Sequence, residues 1–97
     1  MSPYRLTRKA EEDVIGIYAN GLRMFGSAQA ARYHDELETV FQLLGENPGM
    51  ARERREITPP VRIHPYKAHI IVYVPDATGI LIIRVRHGHE DWAEEAP

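Results

Sequence analysis

The chain has 97 residues, and its 12 basic and 14 acidic side chains leave a formal net charge of −2. One small core is about what this length can bury, so we expect a single domain over residues 1–97. The absence of cysteine excludes a disulfide frame and thiolate chemistry, and the near-neutral charge argues against nonspecific coating of nucleic acid. No apolar run approaches the roughly 20 residues that cross a membrane, and no secretory signal stands at the N-terminus, so we expect a cytoplasmic protein.

The first half of the chain predicts a short strand followed by two helices. A strand over 4–6 ends at Thr7, which is placed to cap a helix over 8–24. Ser27 is placed to cap a second helix over 28–45. Each helix carries an apolar stripe at three- and four-residue intervals, and the link between them is short, which predicts an antiparallel helix hairpin.

The second half predicts a loop and then a small sheet. Residues 50–60 lack periodicity, and Pro59 and Pro60 argue against a regular element, so we expect an exposed loop there. Three strands follow, over 61–66, 68–74 and 80–86. The middle strand is apolar at nearly every position, as expected if both of its faces are covered. The predicted fold is α+β in the order β-α-α-β-β-β, with the helix hairpin packed on one face of a small antiparallel sheet.

Basic residues at every second position of the first and third strands indicate a candidate binding surface. Side chains on a strand alternate between faces, so Arg62 shares a face with His64, and Arg84 shares one with Arg86. Ile82 is expected to continue the Arg84 face and to make it partly apolar. A sheet surface lined in this way would suit an anionic partner, because guanidinium groups bind carboxylates and phosphates well. A solvated outer face is the ordinary alternative.

The end of the last strand carries His87 and His89, a spacing that would place both imidazoles on one side. Zinc usually takes three or four ligands and no third one converges here, so we expect neither a metal nor a cofactor. His87 is placed to act as a general acid or base, although a lone histidine is more often simply hydrogen-bonded. His69 is expected to be structural, and Trp92 is expected to anchor the acidic tail over 91–97.

The helices carry more apolar surface than one small sheet can bury. The apolar residues that lie off the main stripes are Ile15, Leu22, Met24 and Leu43. Some of this surface should remain as a groove for a helix or an extended segment of a partner. Leu37 and Ile83 are expected in the core.

The whole chain resembles the RelE/ParE superfamily of toxins from bacterial type II toxin–antitoxin modules, and its ParE branch more closely. The matching segments span residues 4–92 and are YRLTRKAEEDVIGIY, FGSAQAARYHDELETVFQLLGENPGM, VRIHPYKAHIIVYV and ILIIRVRHGHEDW. In the RelE-like branch, YoeB-like members typically carry arginine where this chain has Ile70 and tyrosine where it has Gly88. These two differences at positions that bear chemistry favour the ParE branch.

The resemblance implies a toxin that is not an enzyme but inhibits DNA gyrase and so blocks DNA replication. It also implies a ParD-like antitoxin as partner, contact with operator DNA only through that antitoxin, and no membrane association. The alternative is a RelE-like ribosome-dependent mRNA endonuclease that uses His87 with Arg84 and Arg86. A third alternative is an inactive chain that is retained to repress its operon together with the antitoxin.

Two overlapping sets of contact residues are expected. Antitoxin binding is expected from Tyr18, Leu22, Phe25, Tyr33, Phe41, Arg62, His64, Arg84 and Arg86. Target binding is expected from Arg84, Arg86, His87, His89 and Trp92. Replacing Arg84 or Arg86 by alanine should then leave folding nearly intact.

Overall fold

Two helices pack against one five-stranded sheet in the computed structural model of the protein, which describes residues 2–88. The elements are β1 (Tyr4–Leu6), α1 (Arg8–Phe25), α2 (Ser27–Glu46), β2 (Glu53–Arg54), β3 (Val61–Tyr66), β4 (His69–Asp76) and β5 (Gly79–His87). The strands lie in the order β1-β5-β4-β3-β2. The predicted α+β class and the helix hairpin on a sheet are confirmed.

The sheet is mixed, whereas the sequence predicted an antiparallel one. β1 runs parallel to β5, with Tyr4 opposite Ile80 and Leu6 opposite Ile82. The pairs β2–β3, β3–β4 and β4–β5 are antiparallel, as predicted for the last three strands. Parallel neighbours need a long connection, and the helix hairpin together with the intervening strands provides it between β1 and β5.

The segment over 50–60 is more ordered than the predicted exposed loop. It contains β2, which pairs with the start of β3. Ala51 and Ile57 are buried, and Ile57 packs with Val61 and Val72 in a small apolar cluster separate from the main core. A two-residue strand is too short to leave a periodic pattern in the sequence, which is why the prediction missed it.

The predicted cap of the first helix is confirmed and that of the second is wrong. Thr7 Oγ1 accepts a hydrogen bond from the Ala10 N–H at 3.1 Å and donates one to the Ile83 carbonyl at 2.8 Å. Ser27 is instead the first residue of α2, and it forms no cap. Gly26 joins the helices in a left-handed conformation, with φ at 86°, which glycine adopts at little cost. The two helices of the hairpin are therefore connected by a single residue, Gly26.

The main core lies between the helices and the sheet. α2 contributes Leu37, Phe41 and Leu44, and the strands contribute Tyr73 and Ile82, all of them buried. Phe41 is only 2% exposed, so the structure does not place it on a binding surface. Neither helix among residues 2–88 combines the length and the apolarity needed to span a bilayer.

Candidate functional site

Arg62 of β3 and Arg84 of β5 lie on opposite faces of the sheet, so the predicted cationic surface does not form. Arg62 is opposite Tyr73, which is in turn opposite Ile82, and this row faces the helices. Arg84 is opposite Val72 and therefore belongs to the other face. In addition, β4 lies between β3 and β5.

A β-bulge in β5 causes this separation. Tyr73 is opposite Ile82 but Val72 is opposite Arg84, so Ile83 is an extra residue in the strand. Ile82 before the bulge and Val85 after it are both buried in the main core. The predicted continuation of the Arg84 face through Ile82 is therefore wrong.

Arg84 joins β5 to α1. Its Nε and Nη2 donate to the two carboxylate oxygens of Asp13 at 2.8 and 3.0 Å. Asp13 also accepts a hydrogen bond from the Val85 N–H at 2.9 Å. β1 pairs with β5 only as far as Ile82, so Asp13 takes the place of a neighbouring strand beyond that point. Both side chains of the ion pair are less than one fifth exposed, which makes this contact structural.

Arg62 and His64 lie on the face of the sheet that packs against the helices, and both contact other parts of the same chain. Arg62 Nη1 donates to the backbone carbonyl of Ala51, which holds the segment before β2 against β3. His64 lies opposite Ile71, and burial lowers the pKa of its imidazole below the ordinary 6.5. Partial burial of this kind favours the neutral form of the imidazole.

An open cleft of about 790 Å³ lies between the helix hairpin and the adjoining ends of β4 and β5. Its apolar wall contains Val14, Ile17, Phe25, Ala30 and Leu37. Its charged wall contains Glu12, Arg32, Glu36, Lys67 and Arg86. The cleft thus combines an apolar groove with a polar end, as a site for a folded or extended protein segment often does.

The cleft brings together some of the predicted contact residues and leaves out others. Those that line it are Tyr18, Phe25, Tyr33, Arg86 and His87. Those that do not are Leu22, Phe41, Arg62, His64 and Arg84. His89, Trp92 and the tail over 91–97 lie outside the described residues.

The predicted surplus of apolar helical surface is present. Phe25 is 58% exposed at the cleft, and the ring of Tyr18 contacts the ring of His34 edge-on at 5.9 Å between centroids. Large apolar side chains that are exposed outside the cleft are Ile15, Leu22, Met24, Leu43 and Met50. The hairpin therefore has an apolar surface both within the cleft and beside it.

The polar end of the cleft contains a cluster of tyrosine and histidine side chains. The Tyr33 hydroxyl lies 2.7 Å from His69 Nδ1, and the rings of His69 and His87 are 5.6 Å apart. Tyr66 packs beside Tyr33, with 6.0 Å between the ring centroids. Sequence reasoning treated His69 as structural, because the register of β4 and β5, and not a spacing along the chain, brings it to His87.

Lys67 stands at the same end in the tight turn between β3 and β4. It has φ at 52°, a left-handed conformation that is uncommon for a residue with a side chain. Its Nζ donates to Glu36 Oε1 at 2.7 Å, and the Tyr66 hydroxyl donates to the same oxygen at 3.0 Å. These hydrogen bonds lower the pKa of the Glu36 carboxyl. The turn therefore places an ammonium group at the cleft with a carboxylate beside it.

The residues of the alternative nuclease do not converge. Arg84 belongs to the sheet face opposite that of His87, and its guanidinium is bound to Asp13 of α1. Arg86 and His87 both border the cleft, but two side chains from this set do not provide an acid, a base and an additional cation for developing charge.

Comparison with known proteins identifies the family. The sequence profile of the family described as "ParE toxin of type II toxin-antitoxin system, parDE" matches residues 4–92. The curated Toxin ParE1 of Caulobacter vibrioides is 32% identical to this chain over 87 residues, 90% of each protein. A solved structure titled "Chromosomal ParDE TA system from P. aeruginosa" shares the fold, with a TM-score of 0.74 at 20% identity over 87% of this chain and 92% of that one.

The profile covers nearly the whole chain, the curated relative aligns over most of its length, and the fold is the one that the sequence resemblance implied. The chain therefore belongs to the family of ParE toxins of type II toxin–antitoxin systems.

Proposed function

We propose that this toxin acts by binding DNA gyrase and blocking DNA replication, and that a ParD-like antitoxin neutralises it by occupying the cleft. The observation that carries the proposal is the cleft itself, an open site of about 790 Å³ with an apolar wall on the helix hairpin. Family membership supports the toxin role and the pairing with an antitoxin.

The shape and chemistry of the cleft suit a protein segment. Phe25 and Tyr18 offer aromatic surface from α1, and Tyr33 offers it from α2. Such side chains commonly contribute the largest share of binding energy at interfaces. An amphipathic helix with apolar residues at three- and four-residue spacing could lie along this wall, with acidic residues towards Lys67 and Arg86.

A matched pair of substitutions on α1 tests whether the antitoxin occupies the cleft. Phe25 and Ile15 are 58% and 67% exposed, and only Phe25 lines the cleft. We expect Phe25→Ala to weaken binding of the cognate antitoxin by about tenfold or more, which is about 1.4 kcal/mol, and Ile15→Ala to leave binding unchanged. Calorimetry with the purified pair measures both. Equal affinities of the two variants would contradict docking in the cleft.

The choice of gyrase over the ribosome rests on the missing catalytic arrangement. Arg84 is committed to Asp13, and among residues 2–88 we propose no catalytic group. A toxin without catalysis needs a surface that traps its target, and we propose that the end of β5 with Arg86 and His87 contributes to it. His89 and Trp92, which follow in the sequence, remain proposed contacts outside the described residues.

Expression of the toxin without its antitoxin separates these activities in cells. A gyrase inhibitor should induce the DNA-damage response and filamentation while protein synthesis continues. Rapid arrest of translation with cut messages and intact chromosomal DNA would instead support the ribosome-dependent endonuclease. Unimpaired growth would support the inactive partner.

A further inference from the structure

The last described residues of the chain lie at the cleft. His87 and Ala68 line it, and the Gly88 N–H donates to the Ala68 carbonyl at 2.7 Å. The chain that follows Gly88 therefore starts at the polar end of the cleft. Residues 89–97 lie outside the described residues, and their sequence is HEDWAEEAP.

This 89–97 segment is acidic and contains one large aromatic side chain. It has no lysine or arginine, and its carboxylates are those of Glu90, Asp91, Glu94 and Glu95. Trp92 is the single tryptophan of the chain. Four residues of extended chain span up to about 14 Å, and packed layers of secondary structure lie about 10 Å apart. The indole, four residues beyond Gly88, can therefore reach across the cleft to the helices.

The polar end of the cleft offers cations to such a segment. Lys67 Nζ donates to Glu36 Oε1 at 2.7 Å, and Arg32 of α2 interacts electrostatically with the same carboxylate. Lys67 and Arg32 both line the cleft, so two cations share one carboxylate there. An ammonium group has three N–H donors, and Lys67 can therefore bind a second carboxylate without releasing Glu36.

The apolar wall of the cleft has room for a large ring. Gly16 of α1 lines the cleft, and a Cβ at this position would meet nothing within 4 Å. Glycine inside a helix is less stable than alanine, and no packing contact in the described part of the chain requires it here. Phe25 on the same wall is 58% exposed. A flat aromatic side chain lying over Gly16 would fill this space and cover apolar surface.

We infer that the 89–97 segment folds back into the cleft and places Trp92 against the apolar wall over Gly16. Its carboxylates then lie towards Lys67 and Arg32. Because the segment is joined to the chain directly at the cleft, its effective concentration there is on the order of mM, so weak contacts are enough for substantial occupancy. The same position keeps the segment beside the end of β5, the surface that we propose for the target.

A spin label in the cleft tests this inference in the full-length toxin. The chain has no cysteine, so Gln29→Cys, at an exposed position that lines the cleft, provides a single attachment site. Trp92 supplies the one indole N–H resonance of the protein, and a label on residue 29 should remove most of its intensity. The control label is attached at Arg55→Cys, beside β2 at the far edge of the sheet, and should leave the resonance unchanged.

A substitution that fills the space over Gly16 shows whether the indole lies there. Gly16→Leu adds a side chain where nothing lies within 4 Å, so the variant should fold, and far-ultraviolet circular dichroism checks this. In the labelled protein it should restore the indole signal, whereas Ala19→Leu, an exposed position of α1 outside the cleft, should not. The inference is overturned if the label on residue 29 leaves the indole intensity intact, if the two labels reduce it equally, or if the two leucine variants give the same signal.

Competition with the antitoxin is a consequence that rests on the proposed function. A cleft that is open for only a fraction of the time binds its partner with an affinity reduced by that fraction. Trp92→Ala should therefore bind the cognate antitoxin more tightly than the wild type, by about tenfold if the segment fills the cleft for about nine tenths of the time. Calorimetry measures this. Unchanged affinity together with the expected label result would contradict antitoxin docking in the cleft and leave the position of the segment established.

Discussion

Asp13 accepts three hydrogen bonds between α1 and β5, two from Arg84 and one from the Val85 N–H. Removing Arg84 takes away the cation beside the partly buried carboxylate of Asp13. Removing Asp13 takes away the acceptor of both the Arg84 guanidinium and the Val85 N–H. We expect Arg84→Ala and Asp13→Ala each to lower the free energy of unfolding by about 1.5–3 kcal/mol, since hydrogen bonds to charged groups contribute about that much. Urea denaturation measures it.

The double variant distinguishes a shared contact from two separate effects. Because Asp13 and Arg84 act on each other, the double variant should lose less than the sum of the single losses. A loss below about 0.5 kcal/mol for Arg84→Ala, typical of a surface substitution, would restore the sequence prediction that this residue is dispensable for folding.

His64 makes stability depend on pH in a defined direction. Burial lowers the pKa of its imidazole below 6.5, so the unfolded chain binds a proton more readily than the folded protein. The stability due to neutral His64 is therefore complete above 6.5 and declines as the pH falls from there towards the lower pKa of the folded state.

The variant His64→Gln should lose this dependence. Between about pH 7.5 and about pH 5.5, the range in which histidine titrates, we expect the wild type to lose more stability than His64→Gln. Urea midpoints of both proteins at the two pH values give the comparison. A steeper loss in the variant would mean that the folded protein favours the charged imidazole.

At the scale of the elements, local signals predicted the helices better than the sheet. The N-cap at Thr7 and the apolar stripes are signals that each lie within a single helix, and the structure confirms both. The parallel pairing of β1, the two-residue β2 and the bulge at Ile83 depend on contacts between distant segments. The segment ILIIRVR is apolar up to Ile83 and alternates only after it. Its apolar run hides the extra residue, so extending a strict two-residue period back from Arg84 put Arg84 on the same face as Ile82, which is wrong.

The bulge gives neighbouring isoleucines different roles. Ile82 is buried in the main core, whereas Ile83 is partly buried in the small cluster of Ile57, Val61 and Val72. The sequence predicted Ile83 in the core, whereas in the structure Ile82 is the residue in the main core. We expect Ile82→Ala to cost about 2–5 kcal/mol and Ile83→Ala at least about 1 kcal/mol less.

Thermal or urea unfolding of the two variants measures this difference, and Leu37→Ala serves as the reference. Leu37 is 1% exposed, and its alanine variant should lose as much stability as Ile82→Ala. If Ile83→Ala were as destabilising as Ile82→Ala, the bulge would not lie where the register places it.

For the molecule as a whole, the sequence predicted a partner groove but only part of its lining. Tyr18, Phe25 and Tyr33 follow from helical periodicity, and all three border the cleft. His69 and Lys67 reach it through the register and the tight turn of the sheet. A pattern along one strand cannot show which residue of the next strand lies opposite, so this end of the site could not be predicted.

At the scale of the whole molecule, we propose that this member of the ParE toxin family acts through its surface. The cleft is proposed to bind the antitoxin, and the end of β5 is proposed to contact the target. The Asp13–Arg84 contact connects the helix hairpin to β5, so the hairpin and the end of β5 form one body. If the toxin inhibits gyrase by binding and not by catalysis, as proposed, its effect on gyrase should be stoichiometric.

The most direct test of this account is a plasmid assay with purified gyrase, ATP and the toxin in the absence of antitoxin. We predict that linear DNA attached to gyrase accumulates, that the amount rises with the ratio of toxin to gyrase, and that prior addition of the cognate antitoxin prevents it. Normal supercoiling at a large excess of toxin, with no linear product, would contradict the account.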